Sequence, residues 1–309
     1  MKPICIIGAT AVGKTAYAIR LAQDIGAEII SADSMQVYRY MDIGTAKPSR
    51  EELALAPHHL INILGPDEPY SVFDFAAHVK QLIPEIHSRN KRVIIAGGTG
   101  LYLNALFSGL SFTNADPSPE LRAKLSILTA AELHHRLTKV DPVTAEQIHP
   151  HNKQRLIRAL EVCELTGAPL SEQVSRESLE ENYEIIGLDM ERAVLYEKIN
   201  NRVEKMFEAG LLEEVKDLLA RGYHKDLQSM QALGYKESID YLLNTYRPAI
   251  ADPSRQHTDI QTKKPTTNHQ PLTTINNLKS LIKQRTRNFA KRQLTWFRRF
   301  KTVRWVEGI

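Results

Sequence analysis

The chain is 309 residues long, 42% hydrophobic and 25% charged, with a formal net charge of +4, the balance of an ordinary globular protein of one large or two modest domains. Its apolar runs are far too short to span a membrane, no leader is expected before the first apolar strand, and two cysteines, Cys5 and Cys163, allow neither a disulfide framework nor a metal spacing. A membrane-spanning chain and a disulfide scaffold are thereby excluded, and a cytoplasmic protein with two buried thiols and no membrane partner is expected.

The first element is a buried strand over Pro3–Ile7, followed by Gly8-Ala9-Thr10-Ala11-Val12-Gly13-Lys14-Thr15 and a helix over Thr15–Asp24. The eight residues have the form G-x-x-x-x-G-K-[ST], and a strand before and a helix after are the context that makes the pattern a phosphate-binding loop. Glycines let the backbone wrap an anion, successive N–H groups and the helix dipole point at it, Lys14 brings a charge, and the Thr15 hydroxyl suits Mg²⁺. The second strand, Ala27–Ala32, ends at Asp33-Ser34. Ligands of open α/β sheets bind beyond the carboxyl ends of the strands, so Asp33 shares an edge with the loop, as a general base, a Mg²⁺ partner or merely a helix N-cap.

Gly44-Thr45-Ala46-Lys47-Pro48 reads as an ordered loop offering Lys47 as a second anion contact, and His58–Ile63 as a short strand. The histidine pair lacks a third ligand at metal spacing. Ser71–Asn90 is helical, with Phe75, Val79, Leu82, Ile83 and Ile86 on one face. The next buried strand, Arg92–Ala96, runs into Gly97-Gly98-Thr99-Gly100, where a hydrolytic P-loop enzyme would place a metal-holding Asp. That ending fits phosphate binding without hydrolytic machinery.

Helical patterns then dominate: Ala130–Leu137, Pro142–Ile148 and Asn152–Thr166, the last with a Leu156/Ile157/Leu160 core stripe that leaves Gln154, Arg155 and Arg158 together, either solvated or facing phosphates and bases. A strand over Tyr183–Leu188 follows, then an amphipathic stretch Leu195–Arg221 broken at Gly210, in which Arg202 has Glu204 and Glu208 nearby. Residues 248–277 lack apolar periodicity, Leu278–Phe300 is a basic helix with Phe289, Trp296 and Phe297, and Thr302–Val306 closes the chain as a strand. Residues 260–306 hold twelve Lys or Arg and no Asp or Glu, so the rest of the chain carries 28 basic against 36 acidic residues. A basic end on an acidic body is the footprint of a nucleic-acid partner, although a solvated basic helix would look the same. The fold class is α/β: a P-loop NTPase-like parallel sheet flanked by helices, with residues 1–115 and 183–309 as core, 116–182 as a helical insertion domain and 248–277 as a flexible loop.

Seven segments in order, GATAVGKT at 8–15, SADSMQVYRYMDIGTAKP at 31–48, GGTGLYLNAL at 97–106, NKQRLIRALEV at 152–162, RVEKMFEAGLLEEV at 202–215, ALGYKE at 232–237 and TRNFAKRQLTWFRR at 286–299, closely resemble the tRNA dimethylallyltransferase (tRNA isopentenyltransferase) family. The match spans nearly the whole chain; the loop departs from the family's usual Gly-Pro-Thr, and the tract around 250–275 is longer than usual. The resemblance implies transfer of the dimethylallyl group of dimethylallyl diphosphate to N6 of adenine-37 in tRNAs that read codons beginning with U. It implies that Lys14, Thr15 with Mg²⁺, Thr10 and Arg202 bear the charge of the departing diphosphate within the loop Gly8 to Thr15, and that Asp33 takes the N6 proton. It also implies tRNA contacts from Asp33, Ser34, Met35, Gln36, Thr99, Arg122, Gln154, Arg155, Leu156, Ile157 and Arg158. The protein would act as a monomer on the anticodon stem-loop. A small-molecule P-loop kinase, an adenylate isopentenyltransferase and a non-catalytic RNA-binding protein are the rival readings; the GGTG strand end, the QRLIR segment with the basic C-terminus, and the intact Lys14, Thr15 and Asp33 weigh against each in turn.

Overall fold

The structure, a computed structural model, describes residues 1–107, 118–173, 178–246 and 274–308. These residues divide into two compact units, one made of Met1–Leu103 and Asn182–Ile309, the other of Asn104–Glu181.

The first unit is built on six parallel strands: β1 (Ile4–Gly8), β2 (Ala27–Ser31), β3 (His58–His59), β4 (Arg92–Ala96), β5 (Glu184–Asp189) and β6 (Val303–Glu307), in the spatial order β3-β2-β4-β1-β5-β6. β1 and β2 are buried along their whole length, β1 as an apolar run and β2 with Ile29 and Ile30 beside a Glu28 carboxylate held by His59 and Arg89. Ile94 pairs with Ile4 on one side and Ile29 on the other, so the centre of the sheet is a continuous aliphatic layer. The helix α1 (Lys14–Ile25) lays Ala18, Ile19 and Ala22 on it and ends at Gly26, whose φ of 63° is the left-handed cap that glycine adopts freely.

Short α2 (Arg50–Leu55) and long α3 (Val72–Ser88) each begin with a capping box, Ser49/Glu52 and Ser71/Asp74. Within α3 it is Phe75, Val79 and Ile86 that are buried. The stretch 58–63 pairs only at His58 and His59, because Leu60 and Asn62 take φ of 62° and 57° and leave the extended region. After α4 (Gly100–Phe107) the second unit contains α5 (Pro119–Ser126), α6 (Ala130–Val140), α7 (Pro142–Gln147), α8 (Lys153–Thr166) and α9 (Leu170–Gln173) around a core of Leu125, Leu133, Leu137, Leu156 and Leu160.

The chain then returns through β5 to α10 (Arg192–Glu208), α11 (Leu211–Ala220), α12 (Tyr235–Tyr246) and α13 (Ile275–Phe297). Gly210, at φ 96°, makes the expected break between α10 and α11. The flexible loop expected over 248–277 lies mostly outside the described residues, but its last part is corrected: Thr274 caps α13 and Ile275 begins it.

Candidate active site

The loops that follow β1, β2 and β4 meet at the carboxyl edge of the sheet. Close approach there depends on glycine. A Cβ on Gly8 would lie 2.7 Å from the Leu188 carbonyl oxygen, and one on Gly97 would lie 2.1 Å from that of Ala32. Gly13 starts α1 at φ 96°. Within the glycine loop Gly8 to Thr15, Ala9 and Val12 are buried in the core, so they could serve a ligand only through backbone, not side chains.

The Lys14 ammonium donates to the carbonyls of Gly8 (2.9 Å) and Ala9 (2.7 Å). Burial, and then the neighbouring Arg202 cation, lower its pKa to about 7 against a smaller opposing pull from Asp33. Arg202 is lowered by burial too, with Asp33 again opposing. Glu204 is not its partner; that carboxylate holds Lys279 and Lys283 of α13.

Asp33 caps no helix. Its Oδ1 accepts from the Met35 N–H at 2.9 Å, an Asx turn, and the residues after it form turns. The turn is pinned to the β4 loop: the Ser34 N–H donates to Thr99 Oγ1 (3.0 Å) and the Thr99 N–H to the Ala32 carbonyl (3.2 Å). Gln36 accepts from the Ser31 hydroxyl (3.0 Å) and donates to the carbonyls of Thr45 and Ala46, committing its amide to the 44–47 loop. Lys47 is corrected likewise: it is held internally by Tyr38 O, Asp42 and Asn62, and its side chain is 3% exposed.

Two cavities adjoin around Asp33. One, of about 340 Å³, is lined by Lys14, Thr15, Asp33, Lys198, Arg202 and Gln293. The other, of about 270 Å³, is lined by Asp33, Ser34, Met35 and Thr99 and by Val203, Met206, Leu233, Ile282 and Phe289. They share Thr10, Asp33, Thr45, Gly98, Arg202 and Phe289. A polar, cationic chamber therefore opens into an apolar one with a carboxylate at the junction. No group of three His, Cys, Asp or Glu able to hold a metal occurs among the described residues. Thr10, Thr15 and Thr45 line the cationic chamber, and a threonine hydroxyl such as that of Thr15 is an oxygen ligand of the kind Mg²⁺ takes.

In the second unit, the wholly buried carboxylate of Glu161 binds Arg122 through Nε and NH2 (2.8 and 2.9 Å), Arg158 (2.6 Å) and the Ser118 N–H (2.8 Å). Burial pushes its pKa up, but these hydrogen bonds outweigh it and the net shift is downward. Gln154 and Arg155 are exposed, Ile157 and Arg158 half-buried. Leu156 is fully buried, so its side chain is core and is withdrawn from any partner surface.

Sequence patterning does not mark Lys198, Val203, Met206, Leu233 or Gln293 as residues of this site. They come from helices and a turn whose patterns report only which face is apolar, and a buried amide leaves no periodicity. Phe289, grouped with Trp296 and Phe297 by sequence, separates from them: Phe297 is buried, Trp296 packs where a Cβ on Gly100 would lie 2.7 Å from its ring, and Phe289 lines both cavities.

A family model described as IPP transferase matches residues 36–300. That span begins just past Asp33, but full-length relatives cover the loop too. The chain is 42% identical over 317 residues to a tRNA dimethylallyltransferase of Geobacter sulfurreducens, covering 99% of this chain and 92% of the relative. It is 45% identical over 314 residues to that of Carboxydothermus hydrogenoformans, covering 99% and 92%. Among solved structures, the tRNA isopentenylpyrophosphate transferase of Bacillus halodurans superposes with a TM-score of 0.67 at 41% identity, over 99% of this chain and 89% of that one. A eukaryotic dimethylallyltransferase captured acting on tRNA gives 0.76 at 28% identity, over 96% and 70%.

Proposed function

The chain belongs to the IPP transferase family, and from that premise we propose that it moves the dimethylallyl group of dimethylallyl diphosphate to N6 of adenine-37 in tRNA, releasing diphosphate. The observation that carries this reading is the junction of the two cavities at Asp33: a cationic chamber for a diphosphate, an apolar chamber for a five-carbon chain and a base, and a carboxylate between them.

The backbone amides of the phosphate loop, with Lys14, Arg202 and Lys198, hold the diphosphate and stabilise the charge that grows on it as the allylic C–O bond breaks. Thr15 would hold a Mg²⁺, which would supply further neutralisation of the diphosphate charge. Met35, Val203, Met206, Leu233, Ile282 and Phe289 exclude water from the allylic carbon, which would otherwise be hydrolysed. The adenine N6 attacks that carbon, the leaving diphosphate takes the bonding electrons, and Asp33 takes the N6 proton. The base must leave the anticodon-loop stack to reach Asp33, Ser34 and Thr99, at small cost because the loop is single-stranded. In the insertion, Arg122, Gln154, Arg155, Ile157 and Arg158 contact the tRNA, with Glu161 fixing two of the guanidiniums. No described helix is long and apolar enough to cross a membrane. Action as a monomer in the cytoplasm, where tRNA is, belongs to the same proposal.

Labelled dimethylallyl diphosphate and Mg²⁺ offered separately with unmodified tRNA, AMP and ATP test this. Label on tRNA alone, lost when adenine-37 is replaced, is expected. Label on AMP or ATP would make the chain a mononucleotide prenyltransferase instead.

A further inference from the structure

Gln293 lies near the C-terminal end of α13 and is 5% exposed. Its neighbours in sequence are basic or apolar, and nothing in the reaction described above requires an amide there. Yet both ends of that amide are engaged across long separations. Oε1 accepts from the Thr10 N–H at 2.8 Å, and Nε2 donates to the Gly98 carbonyl at 2.8 Å. Room for this is reserved by glycine, since a Cβ on Gly98 would lie 2.4 Å from Nε2 and 3.7 Å from the Lys14 ammonium.

The two bonds complete a chain through the site. The Asp33 turn is tied through Ser34 N–H to Thr99 Oγ1, and through Ala32 O to Thr99 N–H. Thr99 follows Gly98, whose carbonyl is held by Gln293, which in turn holds the Thr10 N–H of the phosphate loop. The β2 end carries the proton acceptor and the β1 loop holds the leaving group. The β4 loop lies between them, bonded directly to the Asp33 turn and bonded to the phosphate loop through the Gln293 amide.

We propose that Gln293 is a positioning residue that sets the spacing between Asp33 and the phosphate loop, and so between the acceptor's proton and the departing diphosphate. The proposal rests on the prenyl-transfer reading. It also assigns the Thr10 amide to Gln293 rather than to the diphosphate, leaving Thr10 to act on the ligand through its hydroxyl. A buried amide with both ends paired is costly to misplace, so the bridge favours one loop spacing over others.

The test pairs Gln293→Met, which keeps the volume and loses both bonds, with Gln293→Glu, which keeps an acceptor for Thr10 and loses the donor to Gly98. For Gln293→Met, kcat at saturating donor and tRNA should fall about tenfold to a hundredfold, the range expected of small misplacements of reacting groups. KM for the donor and Kd for tRNA should stay within about threefold, with rates corrected for the folded fraction by tRNA-binding stoichiometry. For Gln293→Glu, kcat should fall as well and KM for the donor should rise, because a carboxylate then faces the diphosphate chamber. Wild-type kcat in both variants, or a loss wholly accounted for by unfolded protein, would overturn the proposal. Should Gln293→Met fail to fold, Gln293→Glu alone decides: a lower kcat per folded molecule with tRNA Kd within about threefold is expected, and wild-type kcat overturns the proposal. Failure of the wild-type protein to prenylate tRNA would instead strike the underlying reading, so the two failures are distinguishable.

Discussion

Burial first, and then the Arg202 cation, bring the Lys14 pKa down to about 7. A diphosphate in the loop favours the ammonium and raises that value. Above about pH 7 the free protein must therefore take up a proton to bind the donor, while the donor's phosphates, ionised above about pH 6, contribute no opposing change. Donor affinity should weaken as pH rises from about 7 to 9, and calorimetry in buffers of different ionisation enthalpy should show uptake approaching one proton at the upper end. A pH-independent affinity with no uptake would show that Lys14 is already fully charged in the free protein, contrary to a pKa lowered to about 7. The residue scale is also where the sequence is most legible. The glycine loop, Asp33 and Thr99 are found together because each follows a parallel strand, and a strand end is visible as the point where an apolar run stops. Lys47 shows the converse: a lysine in a glycine- and proline-bearing loop looks like an anion contact, but the tertiary fold surrounds it with Asp42, Asn62 and a carbonyl.

Two carboxylates organise whole elements. Glu214 of α11 accepts from the N–H groups of Asp42 (2.9 Å), Ile43 (2.8 Å) and Gly44 (3.2 Å) and from the Tyr235 hydroxyl (2.6 Å), so one side chain anchors the loop that forms part of the apolar chamber. Glu214→Ala leaves three amides and a phenol without their acceptor, and should cost about 2 kcal/mol in urea unfolding and raise KM for tRNA; an unchanged midpoint and KM would show the loop is held by other contacts. Glu161 does the same for the helical insertion. Its folded pKa lies below the unfolded value of 4.5, so its stabilisation is fully present above pH 4.5 and is lost as pH falls through the lower folded value. The insertion should therefore loosen in acid, and Glu161→Gln, which cannot ionise, should be loosened already at neutral pH and lose this acid dependence, as read by hydrogen exchange over residues 118–166; wild-type protection and acid dependence in that variant would mean the Arg122 and Arg158 pairs add nothing. Neither carboxylate is legible in the sequence. Long amphipathic helices such as α10 and α13 show themselves by their period, but α12, which follows Gly234, is masked by that glycine and by mixed polarity. A strand is expected across 58–63 because the residue pattern there says nothing of the left-handed conformations that end it.

At the scale of the molecule, the basic C-terminal end is less free than its composition implies. Lys279 and Lys283 are held by Glu204, Arg285 by Glu237, and Arg298 lies 4.0 Å from Asp189. Arg292 is different: with Lys236 it is exposed and lines a separate cavity beside Gln231 and Leu233. The salt dependence of tRNA binding should follow the second group. Replacing Lys236 and Arg292 by Gln should reduce the slope of log K against log salt by about one for each phosphate that is no longer neutralised, whereas Lys279→Gln with Lys283→Gln should lower stability and leave the slope alone. The opposite pattern would place the RNA on the paired residues.

In the proposed reaction Asp33 receives the proton of the attacking amine while the phosphate loop holds the leaving group. Single-turnover transfer from labelled dimethylallyl diphosphate to tRNA, measured for the wild-type protein and for Asp33→Asn with tRNA affinity recorded beside it, tests that division of labour most directly. A fall of about 10² to 10⁴ in rate with tRNA affinity within about threefold is the predicted result. A variant that transfers at close to the wild-type rate would contradict it, and the base would have to be sought elsewhere at the junction of the two cavities.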